Sequence, residues 1–207
     1  MANFKVIAFD CDGVMFDTQK ANRTYYNDIL AYLDKPPMTD KQFAYCQMAT
    51  ADQALAYLVP DEHEFAAAQA FRKKQGYGPY IRYMQMAPDL VDVLAWCGPG
   101  LKTAIATNRA DTMNRVLTEH GLDGYFDLVV TALDVGNPKP HPEQLIRIID
   151  VFRVRPEEVL YIGDSSVDQE AARSAGVVLA ACCNRDMAAD YHIDRLGEIK
   201  AIAAGPS

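Results

Sequence analysis

The chain has 207 residues, 50% hydrophobic and 23% charged, enough for a real core in one domain or in one domain with a sizeable insertion. Its net charge of −8 argues against a nucleic-acid partner, which needs a clustered basic face. A small anionic ligand stays open, because a bound metal ion can outweigh the global charge locally.

Apolar runs end after about five residues, far short of the ~20 that span a bilayer, so no membrane partner is expected. The amino terminus, Met1-Ala2-Asn3-Phe4-Lys5, shows no signal-peptide pattern. The five cysteines (Cys11, Cys46, Cys97, Cys182, Cys183) form no C-x-x-C pair and read as reduced thiols of a cytoplasmic protein. The oligomeric state stays open.

Val6 to Phe9 is a short apolar run that predicts a strand buried on both faces. It delivers Asp10 and Asp12 at its carboxyl end, and Gly13 permits a sharp turn there. Asp17-Thr18 predicts an N-cap for a helix from about Gln19, with Tyr26, Ile29, Leu30 and Leu33 as its apolar stripe. Pro36-Pro37 ends it, and helices follow from Thr39-Asp40, over about Asp52 to Leu58, and over Glu62 to Lys74. Tyr80 to Met86 reads as helix or turn, so 18–86 is predicted as an all-helical insertion without strands.

From Pro88 the rhythm alternates. Helix is predicted over Asp89 to Trp96, Asp111 to His120, Pro142 to Phe152 and Ser166 to Ala175. Strands are predicted over Thr103 to Ala106, Leu128 to Val130, Val159 to Ile162 and Val177 to Ala181. Such strand–helix units imply an α/β fold with a Rossmann-like parallel sheet and helices on both faces. The division is therefore a core of 1–17 and 87–207 around a helical insertion of 18–86. No repeat is evident, and only 203–207 reads as a tail.

In a parallel sheet the carboxyl ends of the strands share one edge. Asp10 and Asp12 follow the first strand, Thr107-Asn108 the second, and Asp164 with Asp168 the fourth, while Lys139 lies in the loop after the third. Singly, each has an ordinary reading as a cap, a turn or a solvated charge. Jointly they fit phosphoryl transfer: a carboxylate attacks phosphorus only where the phosphate charge is neutralised by a divalent cation and a lysine. Oxygen ligands without histidine or cysteine favour Mg²⁺. Cys11 reads as core and His141 as loop structure.

The set D-x-D-G-V (10–14), T-N (107–108), K-P (139–140) and G-D-S-x-x-D (163–168) resembles the haloacid dehalogenase superfamily, in its phosphoglycolate phosphatase and β-phosphoglucomutase branch with a helical cap domain. The resemblance implies Asp10 as the nucleophile that forms an aspartyl-phosphate and Asp12 as general acid, then general base. It implies Mg²⁺ held by Asp10, Asp164 and the Asp12 carbonyl. Thr107, Asn108 and Lys139 would bind the phosphoryl group, and Asp168 would orient Lys139 or a metal-bound water. The insertion would be a hinged cap over the site.

Asp12 disfavours dehalogenase chemistry, and no isolated cap lysine suggests a phosphonate hydrolase. The sugar phosphomutases place an arginine in the cap stretch that reads Met48-Ala49-Thr50-Ala51-Asp52 here, where alanine stands instead. Arg23, Arg72, Lys73 and Lys74 remain as other cap cations. The expectation is therefore a Mg²⁺-dependent phosphatase of small phosphorylated metabolites, with a β-phosphoglucomutase-like mutase and a non-catalytic binding protein of the same fold as the alternatives.

Overall fold

The computed structural model describes residues 3–204, apart from the Met48 side chain. In chain order, β1 (Val6–Phe9) and the short β2 (Phe16–Asp17) precede four helices, α1 (Gln19–Tyr32), α2 (Asp40–Met48), α3 (Ala51–Leu58) and α4 (Glu62–Gln75), and the short β3 (Gln85–Met86). Next come α5 (Leu90–Cys97), β4 (Lys102–Ala106), α6 (Met113–Glu119), β5 (Leu128–Val130) and α7 (Glu143–Phe152). The chain closes with β6 (Val159–Gly163), α8 (Ser166–Ala175), β7 (Val178–Cys182), β8 (Tyr191–Ile193) and α9 (Ile199–Ala204). It divides into two compact units, Met1–Asp17 with Met86–Ser207, and Thr18–Gln85.

The first unit is built on a six-stranded parallel sheet of order β5-β4-β1-β6-β7-β8. β1 sits between the two halves, with Val6 opposite both Lys102 and Val159 and Phe9 opposite both Ile105 and Ile162. Its four apolar residues are fully buried, as a strand covered on both faces requires. One face joins Val6, Ala8, Ala104, Ala106, Val159 and Tyr161 to Leu145 and Ile148 of α7 and Ala171 and Ala172 of α8 in a single core. By the two-residue period, Ile7, Phe9 and Ile105 point to the opposite face. Each fully buried Ile, Leu or Phe contributes about 1.5–3 kcal/mol to holding these layers together. The chain runs outward from β1 through β4 to β5, then returns to β6 on the other side. That reversal opens a crevice at the carboxyl ends of β1, β4 and β6.

β8 and α9 continue the sheet and its cover beyond the predicted elements. Tyr191-His192-Ile193 is a three-residue edge strand with no apolar run to announce it. Ala203 and Ala204, read from sequence as the start of a tail, end α9. Residues 205–207, like Met1 and Ala2 of the leader reading, lie outside the described residues.

The second unit packs α1 to α4 around Tyr25, Tyr26, Ile29, Leu30, Leu55, Leu58 and Ala68. Its helix starts follow capping chemistry. Thr39 with Gln42 and Thr50 with Gln53 form capping boxes, and Asp61 accepts from the backbone of His63 and Glu64. Thr18 differs from expectation: it stands at the N-cap of α1 without a side-chain cap bond, and its hydroxyl accepts from Asn22 Nδ2 at 3.3 Å. Leu33 of the expected stripe is only partly buried. The absence of strands expected over 18–86 is also corrected, because Gln85–Met86 forms β3 in a two-stranded sheet with β2. Two residues are too few to show alternation in a sequence. Among the described residues no helix is long and apolar enough to cross a membrane.

Candidate active site

Asp10 extends the ladder of β1 by one bond, its N–H donating to Ile162 O at 2.9 Å, so its carboxyl group emerges at the sheet's point of reversal. The chain then curls back, with Gly13 N–H on Phe16 O at 2.8 Å and Met15 N–H on Cys11 O at 3.0 Å. Gly13 takes a φ of +82°, and a Cβ there would stand 1.9 Å from Asp164 Oδ2. Only glycine admits both the turn and the close approach of that carboxylate. Cys11 is buried, and burial, reinforced by the Asp12 charge, pushes its thiol well above the ordinary range. It is not a thiolate nucleophile.

Lys139 is the hub. Its side chain is almost completely buried, and Nζ lies 2.8 Å from Asp10 Oδ1, 2.7 Å from Asp168 Oδ1 and 2.8 Å from Tyr161 OH. Burial alone would depress its pKa, but the carboxylates of Asp10 and Asp168 override that and raise it, so the ammonium stays charged. Asp168 accepts on both oxygens. Oδ1 takes Lys139 and Tyr161 OH at 2.6 Å, and Oδ2 takes the Ser165 N–H at 3.1 Å, the Ser165 hydroxyl and the Asp164 N–H at 3.3 Å. These donors, Lys139 foremost among the charges, hold the buried Asp168 carboxyl below its ordinary range despite its burial.

At the end of β4, Thr107 is buried, donates its N–H to Val130 O and gives its carbonyl to Gln144 Nε2 at 2.7 Å. Its hydroxyl accepts the Arg109 N–H at 3.1 Å and keeps its own proton for a donation. Asn108 is turned differently from a free phosphate donor. Its Nδ2 donates to Lys139 O at 2.8 Å, which leaves Oδ1 buried without a hydrogen-bond partner. Asn108 and Gln144, which also accepts the Lys139 N–H at 3.3 Å, clamp the lysine's backbone. His141, exposed and 3.8 Å from Glu143, stays outside this network.

Asp12 has its carboxylate in the fork of Arg109, Nε on Oδ2 at 3.1 Å and Nη2 on Oδ1 at 2.5 Å. Sequence reasoning passed over Arg109, Tyr161, Gln144 and Asn184, whose Nδ2 holds Asp164 O at 2.8 Å. Adjacency to Thr107-Asn108 was the one signal available for Arg109. In one dimension Tyr161 looks like a core strand residue and Gln144 like a solvated residue at a helix start.

Asp10, Asp164 and Asp168 offer carboxylate oxygens that all lie within 4.8 Å of one another. Burial first, then the neighbouring carboxylates, pushes Asp10 up to about 7 and Asp164 up to about 8. A single lysine therefore leaves this cluster short of positive charge. Asp168 already has donors on both oxygens, so Asp10 and Asp164 remain as ligands. Hard oxygen donors with no histidine or cysteine among them fit Mg²⁺.

The family model for haloacid dehalogenase-like hydrolases matches residues 7–182, which includes Asp10, Asp12, Thr107, Asn108, Lys139, Asp164 and Asp168. A phosphoglycolate phosphatase of Aquifex aeolicus is 28% identical over 85% of this chain and 83% of its own length. One from Thiobacillus denitrificans is 30% identical over 83% of this chain and 80% of its own. Among solved structures, a HAD-superfamily hydrolase of subfamily IA from Geobacter sulfurreducens superposes with a TM-score of 0.85 at 31% identity, covering 98% of this chain and 97% of that one. With the acids, the lysine and the Thr-Asn pair gathered at one sheet edge and the family model spanning them, the chain belongs to the haloacid dehalogenase-like hydrolases, as an enzyme of their phosphatase branch.

Proposed function

We propose that the protein is a Mg²⁺-dependent phosphatase that hydrolyses small organic phosphate monoesters through an aspartyl-phosphate, with a preference of the phosphoglycolate phosphatase kind. The observation that carries the reading is the Asp10 carboxylate, 2.8 Å from a buried ammonium, with a second acid two residues on. An Asp10 oxygen attacks phosphorus as the ester bond breaks, and Asp12 gives its proton to the departing alkoxide. Asp12 then takes a proton from water, whose oxygen attacks the aspartyl-phosphate, releasing inorganic phosphate and restoring Asp10. Lys139 balances the charge that Asp10 passes to the phosphoryl group, the Thr107 hydroxyl donates to a phosphoryl oxygen, and Asp168 holds Lys139 in place. Mg²⁺, held by Asp10, Asp164 and the Asp12 carbonyl, would neutralise the phosphate and align it for in-line attack. The unit Thr18–Gln85 is assigned the role of the cap domain.

The name of the Aquifex relative supports the choice of substrate kind. Within the helical unit, Arg72 pairs with Asp52 at 2.7 Å and Arg23 with Asp40 at 2.8 Å. Phosphate release from 2-phosphoglycolate and p-nitrophenyl phosphate tests the reading. Turnover is expected to vanish in EDTA, return with Mg²⁺ and fall to background in Asp10→Asn. Full activity in EDTA or in Asp10→Asn, or efficient conversion of β-glucose 1-phosphate to the 6-phosphate, would overturn it.

A further inference from the structure

The five cysteines are free thiols, and two of them meet. β7 ends at the buried Cys182, and the exposed Cys183 follows it, whereas Cys11, Cys46 and Cys97 are all buried. Successive side chains of a strand point to opposite faces, which would hold two neighbouring sulfurs apart. Here Cys183 takes a φ of +55°, a left-handed conformation uncommon outside glycine, and the two sulfurs lie 3.8 Å apart. The bend is held in place. The Cys183 N–H donates to Ile193 O at 2.8 Å, and its thiol donates to Asp194 O at 3.4 Å. The next residue, Asn184, donates from Nδ2 to Asp164 O at 2.8 Å, and its Oδ1 accepts the Asp186 N–H at 3.2 Å. A buried thiol, an exposed thiol and an anchor of the Asp164 loop thus follow one another along the chain.

We propose that Cys182 and Cys183 form a modification site at which a hydroperoxide reversibly closes a disulfide between the neighbouring residues, and that closure loosens the hold of Asn184 on the Asp164 loop. The exposed Cys183 sulfur attacks the terminal oxygen of the peroxide. An S–O bond forms as the O–O bond breaks, and the thiol proton leaves with the alkoxide as an alcohol, or as water from hydrogen peroxide. The Cys182 sulfur then attacks the sulfenic acid so formed. S–S forms as S–O breaks, and the Cys182 proton leaves with hydroxide as water. The two thiols lose two electrons and the peroxide gains them. Closure brings the sulfurs from 3.8 Å to about 2 Å. Neighbouring Cα atoms stand only about 3.8 Å apart across a trans peptide, below the roughly 4.4 Å at which ordinary disulfides begin. Such a bond is strained and readily reduced by thiols, as a reversible modification requires. The same strain acts on the backbone that leads into Asn184. The modification stands apart from the phosphatase reading; its effect on turnover rests on that reading.

The experiment treats the whole protein with hydrogen peroxide and maps its peptides by mass, in the wild type and in Cys183→Ser. The wild-type peptide that carries both cysteines is expected to lose two hydrogen atoms and to regain them with dithiothreitol, and the variant peptide is expected to lose none. The wild-type map locates the disulfide by itself, so it carries the test if the variant does not fold. Sulfinic acid at Cys183 in place of the disulfide, oxidation of Cys11, Cys46 or Cys97 before the pair, or a loss that dithiothreitol does not reverse would overturn the modification site. On oxidation of the wild type, turnover of p-nitrophenyl phosphate with Mg²⁺ is expected to fall at least about tenfold and to recover on reduction, the scale on which outer partners of metal ligands act. The Mg²⁺ thermal shift is expected to shrink with it, and peroxide is expected to change neither in Cys183→Ser. A disulfide that closes with turnover and thermal shift unaltered would overturn the coupling to Asp164. Absence of phosphate release from the reduced protein would instead overturn the phosphatase reading, and the peptide map and the thermal shift would still decide this inference.

Discussion

Replacing Lys139 with methionine keeps much of the side chain's length and removes the one ammonium among Asp10, Asp168 and Asp164. Nζ is 2.8 Å from Asp10 and 2.7 Å from Asp168, and the lysine and Asp168 side chains are 1% and 0% exposed. Removing one partner of a buried pair costs about 3–5 kcal/mol, because the other charge is left without compensation. At about 2–4 °C per kcal/mol for a chain of this size, the melting temperature should fall by about 6–20 °C. The deficit should also depend on pH. Lys139 holds Asp168 below its ordinary range, a contribution present above the unfolded carboxyl pKa and lost as pH falls through the folded one. Without the lysine, the folded carboxyls bind protons more readily than the unfolded ones, so the gap to wild type should widen as pH rises from about 5 to about 8. Far-UV circular dichroism melts of both proteins in EDTA at those two pH values read this directly. A variant melting within about 2 °C of wild type at about pH 8 would refute the reasoning, as would a gap that narrows as pH rises.

The Asp10 and Asp164 carboxyls, raised to about 7 and about 8, destabilise the metal-free fold increasingly as pH rises past the ordinary carboxyl range. Stabilisation by Mg²⁺, read as a thermal shift, should therefore be larger at about pH 8 than at about pH 5, and an equal or reversed shift would count against the ligand set. Asp10→Asn removes one of the repelling carboxylates, so in EDTA at about pH 8 it should melt at or above the wild-type temperature; a fall of several degrees would contradict the electrostatic account. Gly13→Ala drives a Cβ to 1.9 Å from Asp164 Oδ2 at a φ of +82°, and should abolish the Mg²⁺ thermal shift along with turnover. Retention of both in that variant would show that the loop has room to move.

The α/β class and the helical stretch after the first strand are legible in the order of residues. Val6 to Phe9 and Val159 to Gly163 are apolar runs too short for helices, and the capping residues Thr39, Thr50 and Asp61 announce the helices they begin. Carboxylates, a Thr-Asn pair and a lysine after successive strands carry their chemistry on their faces as soon as the sheet is read as parallel, since parallel strands deliver their ends to one edge. Contacts across the sheet are different, because nothing local encodes them. Arg109 reaches Asp12 from 97 positions away, and Tyr161, a strand residue by pattern, offers its hydroxyl to Lys139 and Asp168 only because β6 lies next to β1. Asn108 was expected as a phosphate donor, but the tertiary fold brings the Lys139 carbonyl within reach of its amide. β8 pairs with the edge that β7 presents, and its three residues are too short a run to announce a strand in the sequence. Residue types and their order determined which groups reach the sheet edge; packing decided which of them touch, because a hydrogen bond depends on ångströms that only the assembled layers define.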